Sequence, residues 1–214
     1  MDRELDDIVI FNFTSSEWQV IKPNSKIQPV GRRSHSVVLY QDELIVFGGL
    51  LNNVSYSNEL WSFDISTLEW QLLGAGSDSI PVPRADHSAS IVEYSALYIF
   101  GGHSVGENFL GDLYKYDLVL RIGWTLIQPL GGLEYDVRVS AHSSVYHYDS
   151  KSLIIFGGFR PKRLKVTTRT NETYAFHIEK LYWMEWENSV KRAPRERAFH
   201  TAVIMGNYMV VYGM

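Results

Sequence analysis

Histidines recur along this 214-residue sequence at intervals that could bring several imidazoles together. His35, His87, His142 and His200 lie 52, 55 and 58 residues apart, and each is followed by Ser or Thr. Zinc and copper bind such clusters when several imidazole nitrogens converge on the ion, at about 2.0–2.1 Å for zinc. No cysteine and no repeated carboxylate accompanies these histidines. The sequence therefore favours histidines that hydrogen-bond between strands, and it predicts no metal ion or other cofactor.

One segment concentrates positive charge in a chain whose formal net charge is −4. Such a patch could bind an acidic protein surface or a sulfated ligand, although a solvated insertion is the alternative interpretation. Nucleic acid is not a predicted partner, because no second basic stripe with stacking aromatic residues accompanies the segment. The predicted partner-binding residues are Arg160, Lys162, Arg163, Lys165 and Arg169.

The sequence offers no obvious catalytic group. Because the chain has no cysteine, disulfides, cysteine nucleophiles and cysteine-ligated zinc are excluded within it. No Ser-His-Asp order and no pair of carboxylates stands apart from the repeated pattern. No run of about 18 apolar residues occurs, so we expect no direct membrane insertion by this segment. The prediction is a binding protein without catalytic residues.

The four histidines belong to a longer repeat that organises the chain. Each opens an apolar segment, and after a tight turn a second apolar segment ends in glycine, doubled at 48–49, 101–102 and 157–158. An aromatic-rich segment and then a segment containing Trp70, Trp124 or Trp183 complete the unit. Four short β-branched and aromatic segments separated by turns are typical of an antiparallel sheet, and we name its strands A to D in chain order. The sequence therefore predicts an all-β propeller of four-stranded blades.

This pattern resembles the kelch-repeat β-propeller family over the whole chain, and within it residues 196–213 resemble the attractin and multiple-EGF-like-domain receptor group. The resemblance implies a non-enzymatic protein-interaction module in the extracellular region of a large membrane receptor with a signalling or developmental role. An intracellular adaptor, such as a substrate receptor of a ubiquitin ligase, is the alternative. That adaptor would place the chain in the cytoplasm rather than on the extracellular side of the plasma membrane.

The repeat also predicts the extent of the propeller. About four blade equivalents are present, whereas the resemblance implies six or seven, so we expect a partial propeller from a longer product with unpaired blade edges. Closure as four blades, with the last strands beside the first, is the alternative. The predicted units of the domain at 1–214 are a half blade at 5–22, blades at 31–75, 84–128 and 138–187, and a half blade at 197–213.

Loop lengths predict which face of the propeller binds a protein partner. The A-to-B and C-to-D turns are short, whereas the B-to-C and D-to-A connections are longer and share the opposite face. Long loops on a rigid scaffold usually carry binding residues, so this long-loop face is the predicted partner site. The recurring Trp and Tyr rings are expected to fill the space between blades. Arg32, Arg84 and Arg197 are expected to make polar contacts between blades.

Three N-glycosylation sequons favour an extracellular setting. They begin at Asn12, Asn53 and Asn171. Asn12 is predicted to lie within a strand, where a glycan is hard to accommodate. The predicted glycosylation sites are therefore Asn53 and Asn171.

Overall fold

The computed structural model describes residues 4–52, 54–73, 80–106, 108–133, 137–161, 167–186 and 193–214. In these ranges the chain consists of short β-strands joined by turns and loops. No helix in this part of the chain is long and apolar enough to cross a bilayer. Lys162, Arg163, Lys165 and Asn53 lie outside the described residues.

Three four-stranded antiparallel sheets form in the described residues, each with its strands in the order A-B-C-D. Blade 1 contains β3 (Ser36–Tyr40), β4 (Glu43–Phe47), β7 (Leu60–Asp64) and β8 (Glu69–Leu73). Blade 2 contains β9 (Ser88–Val92), β10 (Ala96–Phe100), β13 (Leu113–Asp117) and β14 (Trp124–Ile127). Blade 3 contains β15 (Ser143–His147), β16 (Ser152–Phe156), β19 (Thr173–His177) and β20 (Tyr182–Trp186).

The A strands of successive blades pack side by side and therefore form the inner wall of the arc. This arrangement confirms the prediction of an all-β fold with four-stranded antiparallel blades. Each B-to-C connection folds into a small hairpin on the long-loop face. These hairpins are β5 (Leu50–Leu51) with β6 (Ser55–Tyr56), β11 (His103–Ser104) with β12 (Asn108–Phe109), and β17 (Phe159–Pro161) with β18 (Thr167–Arg169).

A half blade lies at each end of the arc. Strands β1 (Ile8–Asn12) and β2 (Glu17–Ile21) pair with each other, as do β21 (Thr201–Met205) and β22 (Tyr208–Tyr212). In the described residues β1 and β22 belong to separate sheets. The first and last strands therefore do not pair, and the propeller does not close as four blades. The propeller is an open arc whose terminal strands leave apolar side chains exposed.

Aromatic rings fill the space between neighbouring blades, as expected. The Trp124 ring of blade 2 lies 5.0 Å from the Phe47 ring of blade 1, and Trp183 of blade 3 lies 5.0 Å from Phe100 of blade 2. All four side chains are buried. Aromatic side chains of this size bury about 150–250 Å² each, so these contacts supply much of the apolar burial that holds adjacent blades together.

The glycine doublets allow one blade to approach the next at the end of strand B. Gly101 has a φ of +64°, and a Cβ atom there would lie 2.6 Å from the Val139 carbonyl oxygen and 3.0 Å from His142 Cε1. Its neighbour Gly102 donates its N–H to the same carbonyl at 2.8 Å. A larger residue would strain the backbone and separate the blades, which explains why the sequence repeats glycine here.

Candidate binding surface

The recurring histidines form hydrogen bonds between blades. The Nε2 atoms of His87, His142 and His200 each lie 2.8 Å from a serine hydroxyl of the preceding blade, in Ser36, Ser88 and Ser143 respectively. This arrangement confirms the prediction of hydrogen bonding between strands. Within the described ranges, no three His, Asp or Glu side chains are grouped so that they could hold a metal ion. The histidines therefore join one blade to the next.

Burial keeps these imidazoles neutral. Desolvation, with a smaller contribution from the nearby His200, lowers the pKa of His142 to about 3. Desolvation also lowers the pKa of His87 well below its ordinary value. The Nδ1 atoms of these two residues and of His200 are buried without a hydrogen-bond partner in the described structure. A protonated ring would bring an uncompensated charge into this region, so the histidines serve the scaffold only in their neutral form.

The repeated arginines differ from expectation, because their side chains bond within their own blade. Arg84 is fully buried and donates to Asp112 Oδ1 at 2.6 Å, to Asp112 Oδ2 at 2.8 Å and to the Gly101 carbonyl at 3.1 Å. Arg32 binds Glu59 at 2.8 Å in the same way in blade 1. Only the backbone of Arg84 joins two blades, through its N–H and C=O. The expected polar contacts between blades are therefore made by the backbone of Arg84 and not by its guanidinium.

Blade 3 replaces the repeated arginine with one from the basic segment. Val139 stands at the arginine position, and the acidic residue equivalent to Glu59 and Asp112 is Glu172. Arg160, on β17, forms an ion pair with Glu172 and donates to the Tyr174 hydroxyl at 3.3 Å. Of the predicted partner-binding residues, Arg160 therefore has a structural role inside the blade. Arg169, at the end of β18, is exposed on the same hairpin.

A row of backbone hydrogen bonds, which we call the axial ring, runs from blade to blade near the propeller axis on the long-loop face. The residue before each recurring histidine has a positive φ between 52° and 55°, although none is glycine. In three of the four residues, Asp86, Ala141 and Phe199, the N–H group donates to the carbonyl of the equivalent residue of the preceding blade at 2.8–3.0 Å. The conformation is therefore fixed by the ring while the side chain differs from blade to blade. These four residues are Ser34, Asp86, Ala141 and Phe199.

Beside this ring lies a cavity of about 350 Å³, which we call the axial mouth. The Phe159 and Phe199 rings pack edge to face there at 5.8 Å, and Phe199 remains 58% exposed. The same cavity is also lined by Asp86, His103, Phe109, Ser140 and Thr167. The sequence did not predict this cluster. Most of its members lie on the B-to-C hairpins, and Asp86 and Phe199 occupy the position before the recurring histidine, where the residue type differs from blade to blade.

Asp86, His103 and Ser140 bring a carboxylate, an imidazole and a hydroxyl together in the axial mouth. Both the Asp86 carboxylate, at 3.3 Å, and the Ser140 hydroxyl, at 3.1 Å, approach the same nitrogen, Nδ1 of His103. A catalytic triad instead uses the two imidazole nitrogens separately, one for the nucleophile and one for the acid. This arrangement orients the His103 ring and differs from the geometry of a catalytic triad.

A second concave surface lies on the opposite face, among the short A-to-B turns. It encloses about 450 Å³ and presents the rings of Tyr94, Tyr146 and Tyr148 beside Leu39 and Ile204. The Lys151 ammonium lies 4.1 Å from the centre of the Tyr148 ring, so one of the three rings is engaged in a cation–π contact. We call this surface the tyrosine groove.

A cleft of about 550 Å³ lies between blades 2 and 3 on the long-loop face. It is lined by the loop residues Leu110, Gly111 and Gly132 and by Trp183. A Cβ at Gly132 would come within 2.3 Å of the Trp183 carbonyl oxygen, so this loop packs directly on the blade 3 backbone. The charged residues Asp112 and Arg138 also line this cleft.

Asn171, one of the two predicted glycosylation sites, lies two residues before strand C of blade 3. Its side-chain amide donates to the Pro194 carbonyl at 2.9 Å. Asn12 ends β1, and its Oδ1 accepts the N–H groups of Thr14 and Ser15 at the following turn. Glycosylation at Asn171 and Asn53 stays a prediction.

Comparison with known proteins agrees with the repeat and the geometry. A family model described as Attractin/LZTR1 beta-propeller matches residues 1–213. Multiple epidermal growth factor-like domains protein 8 is 34% identical in Homo sapiens and 35% in Mus musculus, over 100% of this chain and 8% of each relative. Host cell factor 1 from Homo sapiens is 30% identical over 98% of this chain and 10% of that relative.

The chain thus spans about a tenth or less of the length of these relatives. The family match covers all three blades and both half blades, and it agrees with the resemblance drawn from the glycine doublets and tryptophans. The chain belongs to the Attractin/LZTR1 β-propeller family.

Proposed function

We propose that this chain is a non-catalytic protein-interaction module that binds its partner through the axial mouth on the long-loop face. The observation that carries the proposal is Phe199, whose ring lies 58% exposed against Phe159 on a backbone held by the axial ring. An exposed aromatic ring in a fixed position can anchor an apolar side chain at little cost in conformational entropy.

Charge around the axial mouth supports a partner that is apolar at its anchor and acidic beside it. The B-to-C hairpin of blade 3 carries both Phe159, which lines the mouth, and the exposed Arg169. The basic segment as a whole is the predicted site for an acidic protein surface or a sulfated ligand. Arg160 is already paired with Glu172. The basic residues that would attract an acidic or sulfated ligand are therefore Lys162, Arg163, Lys165 and Arg169.

The chain's place in a larger protein is part of the same proposal. We place it in the extracellular region of a membrane receptor with a signalling or developmental role. The names of the relatives with EGF-like domains and the sequons at Asn53 and Asn171 support this setting. Endoglycosidase treatment of the protein from its own cells should shift its mass on a gel, and an unshifted band would contradict the extracellular assignment.

A displayed library of random peptides tests the binding site, with the immobilised chain as target. Peptides enriched on the unmodified chain should carry a large apolar residue, and their affinity should fall at least tenfold with Phe199→Asp. Tyr94→Asp, in the tyrosine groove, is the matched control and should leave binding unchanged. Peptides that bind Phe199→Asp normally, or that are lost with Tyr94→Asp, would place the site elsewhere.

Retention on a heparin column tests the basic segment separately. The unmodified chain should be retained at low salt despite its net charge of −4, and retention should fall as salt screens the charges. Replacement of Lys162, Arg163 and Lys165 by glutamate should abolish retention. Lys22, Lys26 and Arg33 provide a control triplet near blade 1, and their replacement should have a smaller effect.

A further inference from the structure

Blades 2 and 3 carry tyrosines on their A-to-B turns, where the repeat elsewhere has polar or glycine residues. Tyr94 lies in the turn of blade 2, and Tyr148 opens the turn of blade 3. The equivalent turns are Gln41-Asp42 in blade 1 and Gly206-Asn207 in the last hairpin. Both tyrosine-bearing blades are complete and have a neighbouring sheet on either side. The two rings therefore depart from the repeat at one place, the tyrosine groove.

The turn that carries Tyr94 has a backbone conformation that most side chains disfavour. Glu93 and Tyr94 have φ angles of +50° and +53°, and in the described ranges they are the only consecutive non-glycine residues with positive φ. The Ser95 N–H closes the turn on the Val92 carbonyl at 3.1 Å, and the Ser95 carbonyl accepts the Leu118 N–H at 2.9 Å. Glycine and asparagine tolerate such turns best. Backbone held in a disfavoured conformation is concentrated at binding and catalytic sites, which points to a role for this turn in binding.

The aromatic rings of the groove are exposed and held in position. Tyr94 is 83% exposed and Tyr148 is 56% exposed. The Lys151 ammonium lies 4.1 Å from the centre of the Tyr148 ring, and the Tyr146 ring packs edge to face against that ring at 6.4 Å. Lys151 also binds Glu93 at 3.1 Å, so the turns of the two blades are joined. A ligand therefore meets aromatic surfaces that lose little conformational entropy on binding.

The charged groups that line the groove are hydrogen-bond acceptors. Glu93 and Asp149 are among its described lining residues, whereas no lysine or arginine is. Asp149 is exposed and forms no ion pair within the described part of the chain. The Glu93 carboxylate binds Lys151 and the Tyr146 hydroxyl through Oε1, which leaves Oε2 without a partner in the described structure. A ligand with several hydroxyl donors would satisfy these oxygens.

This combination of rings and carboxylates selects among classes of ligand. An apolar protein side chain would cover the two carboxylates without supplying a donor, which is costly. An acidic ligand would bring like charges together. A sugar supplies both requirements, because its C–H face packs on an aromatic ring and its hydroxyls donate to carboxylates. The cavity of about 450 Å³ also lies within the range of about 300–1,000 Å³ for small-ligand sites.

We propose that the tyrosine groove binds an uncharged glycan, whose sugar ring stacks on Tyr94 and whose hydroxyls donate to Glu93 and Asp149. Leu39 and Ile91 add aliphatic surface to the same groove. The groove lies on the face opposite the axial mouth, so this site is independent of the proposed protein site. The chain can therefore hold a glycan on one face while a protein partner occupies the other.

A printed array of uncharged and acidic glycans tests the proposal, with the full chain as the probe. The chain should be retained on a subset of the uncharged glycans. Calorimetric titration with the best of them should give an affinity that salt barely changes, because salt screens only interactions between charges. Retention on none of the uncharged glycans would overturn the proposal. So would a basic peptide that displaces the glycan and weakens steeply with salt, since the groove would then be a peptide site.

Replacement of Tyr94 by glycine separates binding from folding. Because glycine tolerates positive φ, Tyr94→Gly should melt at a higher temperature than the unmodified chain. Its affinity for the glycan should nevertheless fall at least tenfold, whereas Tyr94→Phe keeps the ring and should bind nearly as well. Tyr212→Ala is the matched control, since Tyr212 is 80% exposed and lies outside the groove. Normal binding by Tyr94→Gly, or a loss of stability, would assign this ring to the scaffold and refute the proposal.

Replacement of Asp149 by alanine tests the acceptor role. The affinity for the same glycan should fall about tenfold, because a sugar hydroxyl would lose its charged acceptor. Asp42→Ala is the matched control and should bind normally, since Asp42 is an exposed acidic residue on the A-to-B turn of blade 1 that does not line the groove. Equal losses from the two variants would contradict a direct contact between Asp149 and the glycan.

Discussion

Replacement of Arg84 by Met tests how much one buried guanidinium contributes to a blade. Arg84 is 0% exposed, and it donates to both Asp112 oxygens, to the Gly101 carbonyl and to the Val82 carbonyl at 3.2 Å. Its guanidinium also lies 5.6 Å from the Tyr114 ring centre. The arginine thus ties the D-to-A loop to the end of strand B and to the entry of strand C.

The expected loss in free energy of unfolding depends on the polar groups that lose their hydrogen-bond partner when Arg84 is replaced. Removing one partner of a buried ion pair costs about 3–5 kcal/mol. The Asp112 side chain is 27% exposed and can recruit water, which moves the expected loss to the lower part of that range. The two carbonyl groups that lose a donor add about 1 kcal/mol each if no water replaces it. We therefore expect a loss of roughly 3–5 kcal/mol for Arg84→Met.

Urea denaturation followed by tryptophan fluorescence measures this loss, with the slope of the transition checked for two-state behaviour. Arg33→Met is the matched control, since Arg33 is half exposed and pairs with Glu4 at 3.3 Å on the surface. That pair should contribute less than about 1 kcal/mol. If Arg84→Met were no more destabilising than Arg33→Met, the assignment of Arg84 as the central polar contact of the blade would be refuted.

Three further perturbations test other parts of the scaffold. Burial lowers the pKa of His142 to about 3, so the unfolded chain binds a proton below about pH 6.5 that the folded chain does not. The free energy of unfolding should fall by roughly 1.4 kcal/mol per pH unit between about pH 6 and pH 4 for this residue, with a shallower fall in His142→Gln. Gly101→Ala should cost about 3 kcal/mol in denaturant titration, whereas Gly106→Ala, with nothing within 4 Å of its added Cβ, should cost only the backbone strain of about 1 kcal/mol. Arg160→Met should cost about 1 kcal/mol, because its ion pair with Glu172 is partly solvated, and a loss as large as that of Arg84→Met would contradict this ranking.

The sequence was sufficient to predict the parts of the fold that repeat. The doublet Gly101-Gly102 and the ring of Trp124 recur because each blade must approach its neighbour in the same way, so spacing alone reveals them. Side-chain pairing was harder to predict. Arg84 bonds within its blade because its acidic partner lies 28 residues later, just before strand C, and no local pattern in the sequence connects the two.

The binding surface could not be predicted for a related reason. Phe159 and Phe199 belong to different repeats and occupy positions where the other blades have no phenylalanine, so no periodicity marks them. The basic segment did stand out by charge, but charge did not indicate that Arg160 would be used to replace the arginine missing at Val139. A residue that departs from the repeat can therefore restore an ion pair inside its own blade, and it need not contact a partner.

The axial ring explains how one scaffold can carry different binding specificities. The backbone of Ser34, Asp86, Ala141 and Phe199 is fixed by hydrogen bonds from blade to blade, and it adopts a positive φ that costs each residue about 1 kcal/mol or more. Because those bonds involve only main-chain atoms, the side chains can change without disturbing them. The same position can therefore present a hydroxyl, a carboxylate, a methyl group or a phenyl ring near the propeller axis. Substitutions at Asp86 and Phe199, which line the axial mouth, should change what the mouth binds far more than they change stability, whereas substitutions at the adjacent buried histidines should do the opposite.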